Sequence, residues 1–79
     1  MGRKEIDLKL RTEVTGNVHQ LLNGLDGVEM LKAKGYGLKL SVDTSRIGID
    51  RVVGELLREL EVEDIVIAAA PLEEIIARI

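Results

Sequence analysis

Val28-Glu29-Met30-Leu31-Lys32-Ala33-Lys34-Gly35-Tyr36-Gly37-Leu38-Lys39-Leu40-Ser41-Val42 decides the fold of this chain. Its second half alternates: Tyr36, Leu38, Leu40 and Val42 fall on one side, and Gly37, Lys39 and Ser41 on the other. A period of two is the mark of a half-buried strand. Its first half is a less regular strand over residues 28–34, with Val28 and Met30 on one face and Leu31 and Ala33 on the other. Lys34-Gly35 supplies a turn, so the two strands form a hairpin joined by a short glycine-bearing connection.

On the N-terminal side of the hairpin, residues 4–12 alternate again. Ile6, Leu8 and Leu10 share one face against Asp7, Lys9 and Arg11. Thr15, Gly16 and Asn17 carry turn and cap chemistry. Val18, Leu21, Leu22 and Leu25 follow at the i, i+3, i+4, i+7 spacing of a short amphipathic helix. Gly24 and Gly27 are placed to end it with a positive φ.

On the C-terminal side, Asp43, Thr44 and Ser45 are candidate caps for the strongest helical stripe, which runs through Ile49, Val52, Val53, Leu56, Leu57 and Leu60. Arg51, Glu55, Arg58 and Glu59 fill the polar side, and Asp50 suits the positive end of the helix dipole. Gly54 costs this helix about 1 kcal/mol relative to alanine, and close packing on the sheet is its expected reason. The apolar run Ile65-Val66-Ile67-Ala68-Ala69 reads as a central strand. Pro71 then opens a last helix, a position where its missing N–H is no loss, and Leu72, Ile75, Ile76 and Ile79 repeat the helical stripe.

The predicted order is therefore strand, helix, strand, strand, helix, strand, helix. This is an α+β chain with a ferredoxin-like βαββαβ sandwich: a four-stranded antiparallel sheet, two helices on one face, and a short C-terminal helix. Seventy-nine residues form one domain, 1–79, with a thin core. There is no cysteine and only one aromatic residue, Tyr36, so stability must come from aliphatic packing. The net charge of −3 gives no long-range pull on nucleic acid or anionic lipid. No apolar run approaches the ~18 residues of a membrane span, and no secretion signal follows Met1-Gly2-Arg3-Lys4. A cytoplasmic setting, without direct membrane insertion, is expected.

Little in the chain points to chemistry. The one histidine, His19, lies on the first helix without a nucleophile or co-ligand in view. Ser41 and Ser45 belong to a strand end and a cap, with no nucleophile elbow. Gly35-Tyr36-Gly37 precedes a strand rather than a helix, so it reads as a hairpin turn and not a phosphate loop. Glu59, Glu61, Glu63 and Asp64 are spread along a connection, and Glu73 and Glu74 along a helix, where no single point gathers them. RNA binding on the sheet would require more aromatics than Tyr36. The basic stretch Arg3, Lys4, Lys9 and Arg11 reads as the solvated side of an edge strand, where charge discourages aggregation. The residues predict no catalytic, cofactor or metal site, and no enzyme activity.

The C-terminal run Ala70-Pro71-Leu72-Glu73-Glu74-Ile75-Ile76 resembles the end of the C-terminal accessory domain of ABC transporter ATP-binding proteins, where the last strand leads into a helix of "sLEevF" type. Ile76 stands where an aromatic is common in that family. The earlier elements are similar as well: a strand, a short Leu-rich helix, Gly27-Val28, a hairpin and a long amphipathic helix. The resemblance implies a non-catalytic regulatory or interaction domain excised from a longer ATPase. Its parent would couple ATP hydrolysis, in an upstream nucleotide-binding domain, to export across a membrane. The partners implied are that upstream domain or a partner ATPase subunit, with a homodimer as a further possibility and membrane association only through the transporter. The candidate contact surface is the last helix, through Leu72, Ile75, Ile76 and Ile79, together with whatever sheet face the first two helices leave open. The alternative is a ferredoxin-like small-molecule-sensing or dimerisation module, with Gly35, Gly37 or Gly48 lining a ligand site between protomers.

Overall fold

The computed structural model describes residues 2–69. The elements run β1 (Arg3–Leu10), α1 (Gly16–Asn23), β2 (Val28–Lys34), β3 (Gly37–Asp43), α2 (Ile49–Glu59) and β4 (Val62–Ala69). The strands form one antiparallel sheet in the order β2-β3-β1-β4. Each helix therefore connects two strands that flank a third: α1 leads from β1 to β2 across β3, and α2 from β3 to β4 across β1. The last helical stripe, with Pro71, Leu72, Ile75, Ile76 and Ile79, lies outside the described residues.

One aliphatic cluster holds the fold together. Ile6, Leu8 and Leu10 of β1 and Leu38, Leu40 and Val42 of β3 are buried with Val18 and Leu22 of α1, Leu25, and Val52 and Leu56 of α2. In an antiparallel pair, residues opposite each other share a face. The pairings Ile6 with Leu40 and Leu8 with Leu38 thus build a single apolar surface, which both helices cover.

Several local expectations are corrected. A bulge in β2 places Met30 opposite Leu40 and Lys32 opposite Lys39, leaving Leu31 as the extra residue. Ala33 is consequently in register with Leu38, on the face that Met30 shares, and not on the opposite one. Tyr36 belongs to the hairpin turn rather than the buried stripe, and half of its surface is exposed. The turn has two residues and opens at Gly35 with φ +59, the sign that the first position of a II′ turn requires.

The cap of α2 is Gly48, not Asp43, Thr44 or Ser45. Those three residues make a separate turn, in which the Asp43 carboxylate accepts from the Ser45 N–H at 3.0 Å and from its hydroxyl at 2.6 Å. Gly24 closes α1 with an ordinary φ of −83, whereas Gly27 has φ +98. A side chain at Gly27 would also meet Arg46 Cβ at 2.9 Å, so both backbone and space demand glycine there. Gly54 is exposed with nothing within 4 Å of where a Cβ would stand, so sheet packing is not its reason. Leu57 drops out of the buried stripe and is 53% exposed.

The largest correction concerns the two strands whose positions are exchanged. β1, expected at an edge, lies between β3 and β4; β4, expected in the centre, is an edge.

Candidate functional site

With both helices on one face, the other face of the sheet is open among the described residues. Arg3, Glu5, Asp7 and Lys9 point to it from β1, and Lys39, Ser41 and Asp43 from β3, because these positions alternate with the buried ones. Register brings Glu29 opposite Ser41 and Lys32 opposite Lys39. On the far side, Val66 lies opposite Asp7 and Ala68 opposite Glu5.

One end of this face is neutralised internally. Arg3 reaches Glu29 and Asp43 at 3.7 Å each and donates through Nε to the buried Ser41 hydroxyl at 3.2 Å. Arg46 meets Asp26 at 3.6 Å in the adjoining loops. Ser45 holds the Asp43 carboxyl below the usual aspartate range, first through its hydroxyl and then through its N–H. Arg3 and Arg46 act in the same direction, while partial burial opposes them.

The other end is basic and hollow. Gly37 has no side chain to fill its place between Lys9 and Lys34, its partners on either side. A Cβ there would touch only the Lys34 carbonyl, at 3.5 Å. The result is an open depression of about 350 Å³ lined by Asp7, Leu8, Lys32, Lys34, Gly37, Leu38 and Lys39. Lys32 and Lys39 stand directly opposite each other, and like charges in that position repel. Lys39 is partly compensated by Glu5 at 3.7 Å, and Asp7 is the one acid in the lining. Three lysines line it against one acid, a balance that suits an anionic group.

Among the described residues, the sequence candidates other than Gly37 stay apart from this hollow. His19 is exposed on α1. Glu59 ends α2, Glu61 lies in the connection, Glu63 is the unpaired residue of a bulge in β4, and Asp64 pairs with Lys9. No group of three or more metal-capable side chains gathers among the described residues. Gly37 lines the depression; Gly35 and Gly48 do not. The contact residues Leu72, Ile75, Ile76 and Ile79 lie outside the described residues. Sequence reading passed over the lysines, although a signal was present: a two-residue turn at Gly35-Tyr36 pairs 34 with 37 and 32 with 39, which aligns them. No helix among the described residues is long and apolar enough to cross a membrane.

No family model matches this chain, and comparisons with curated proteins and with solved structures return no match.

Proposed function

We propose that this chain is a non-catalytic interaction domain of the kind that follows the nucleotide-binding domain in ABC transporter ATP-binding proteins. On this reading it is built as a ferredoxin-like sandwich and works in the cytoplasm. The Leu72-Glu73-Glu74 run and the order of elements support the family, and the sheet order β2-β3-β1-β4 with both helices on one face supports the architecture. The observation that carries an interaction role is the open sheet face, whose cations at Lys32, Lys34 and Lys39 are left in excess around Gly37. An acidic surface of the nucleotide-binding domain, or of a partner ATPase subunit, would neutralise that excess on docking. The parent would hydrolyse ATP, and this domain would regulate or stabilise the assembly.

The test begins with the gene. A nucleotide-binding domain encoded upstream, in frame or in the same operon, is expected to bind this chain saturably. Lys32→Glu with Lys34→Glu should weaken that binding at least about tenfold, the scale of one lost charge-assisted contact. The absence of any such domain, or binding that the reversals leave unchanged, would sink the reading.

A second reading is favoured by the hollow itself: a sensor that takes a small multivalent anion over Gly37. Thermal shift with phosphate and with citrate measures it. A saturable rise in melting temperature that Gly37→Val abolishes would support the sensor, and no rise would remove it.

A further inference from the structure

We propose that the outer edge of β4 pairs antiparallel with β4 of a second copy of this chain, joining two sheets across a two-fold axis. The inference stands on β4 alone and does not depend on the transporter reading.

The first observation is a mismatch between composition and position. Residues 65–69 of β4 carry no charge, no proline and no glycine, which is the composition of a strand covered on both sides. Yet β4 is an edge, and among the described residues only β1 pairs with it. Val66 is 55% exposed and Ile67 is 42% exposed. These neighbours point to opposite faces of the sheet, so the apolar surface wraps around the edge. An exposed apolar edge offers unpaired N–H and C=O groups to any other strand.

The opposite edge supplies the control. β2 carries Glu29, Lys32 and Lys34, together with the bulge at Leu31. Charges and bulges are the usual protections of an edge. The molecule thus guards one edge, while the inner half of the other is left bare of charge.

Charge selects the orientation, and closure selects the strand. The acids Glu63 and Asp64 lie at the start of β4, and the neutral residues follow. Two copies aligned in parallel would set these acids side by side. Antiparallel pairing centred on Val66 sets Asp64 opposite Ala68 of the other copy. The two Asp64 residues are then four positions apart, about 14 Å at strand spacing, beyond the ~8 Å over which physiological salt screens charge. This contact is isologous and closes at two copies. Pairing β4 with β2 of another copy would bring Lys32 and Lys34 to the acids, but it leaves a free edge at each end and grows without closing. One strand pair makes a small contact, so the dimer is reversible.

Sedimentation velocity of the full chain, from micromolar to millimolar concentration, tests the proposal. A monomer–dimer equilibrium is expected. Val66→Lys should weaken it at least about tenfold, while Leu31→Lys on β2 and Leu57→Lys on α2 leave it unchanged. Because the chain has no cysteine, Val66→Cys gives a second reading that needs no disruption: it should crosslink to dimer on oxidation, and Leu31→Cys should not. A chain that stays monomeric at millimolar concentration would overturn the proposal. So would a dimer broken by Leu31→Lys or Leu57→Lys but not by Val66→Lys, or growth into open-ended oligomers.

Discussion

β1 and β4 lie side by side, and each carries the sequence expected of the other. β1 alternates apolar and charged residues, with Glu5, Asp7 and Lys9 on its polar side, yet it is paired along both edges. β4 has an uncharged apolar half, yet it is paired along one edge. Alternation reports whether a sheet face is covered, not where a strand sits within the sheet. Here one face is open, so a central strand shows charges to solvent and satisfies some of them across strands, as Glu5 does with Lys39. β4, by contrast, turns Val66 and Ile67 to opposite faces and carries no charge from Ile65 to Ala69.

The two strands differ most at one pair in register, Ile6 of β1 and Ile67 of β4. Ile6 is fully buried, and Ile67 is 42% exposed. Ile6→Ala should cost about 2–5 kcal/mol, since it removes packed methyl groups and leaves a cavity. Ile67→Ala at dilute concentration should cost well under half of that, because its surroundings are already partly water. Urea denaturation of both variants decides it. Equal losses would mean that β4 is as enclosed as β1 and that the two strands do not differ in cover.

Much of the fold was legible because its signals were local and agreed with one another. The alternation of Ile6, Leu8 and Leu10 and of Leu38, Leu40 and Val42 gave the buried face, and the stripe through Val52 and Leu56 gave the second helix against it. Gly35 marked the hairpin. What failed depended on non-local facts. No pattern within residues 28–34 announces the bulge at Leu31, which exists only relative to β3. Asp43, Thr44 and Ser45 have cap chemistry, but their hydrogen bonds close a turn three residues before the helix begins. The candidate site was half legible. Lys32, Lys34 and Lys39 align once the turn is known, but the hollow needs Gly37 to sit within a paired row, and only the sheet creates that.

Gly54 sharpens the same lesson inside α2. Its local cost to the helix is real, but the structure gives no packing reason for it, since the space where a Cβ would stand is open. Gly54→Ala should therefore stabilise the domain by about 0.5–1 kcal/mol, a rise of roughly 4–8 °C per kcal/mol in melting temperature for a chain of this size. Thermal denaturation followed by circular dichroism measures it. A fall instead would show that this face of α2 is closely covered in solution.

The charges that equip β1 for a central place should each contribute little. Glu5 and Lys39 are 3.7 Å apart and both partly exposed. A double-mutant cycle with Glu5→Gln and Lys39→Met should give a coupling below about 1 kcal/mol, shrinking as salt is added. A larger coupling would mean that ion pairs, and not the apolar face, hold β1 between its neighbours.

The smallest effect concerns Asp43, at the end of β3, where Arg3 of β1 reaches it. Its carboxyl is held below the ordinary aspartate range chiefly by the Ser45 hydroxyl, then by the Ser45 N–H, with Arg3 and Arg46 behind them. A carboxyl whose pKa folding lowers stabilises the native state above its unfolded value, and this contribution disappears as pH falls through the lower folded value. The acid-sensitive window therefore lies below the unfolded aspartate value of about 3.9. Ser45→Ala should raise the Asp43 pKa toward the ordinary value, and Arg3→Met should raise it less, both read by carbon NMR of the carboxyl. The stability difference between wild type and Ser45→Ala should be present at neutral pH and vanish in strong acid. Should Arg3→Met produce the larger shift, the charge carried by β1 would outweigh the turn in fixing this corner of the sheet, and the division between a strand held by packing and a turn held by hydrogen bonds would have to be redrawn.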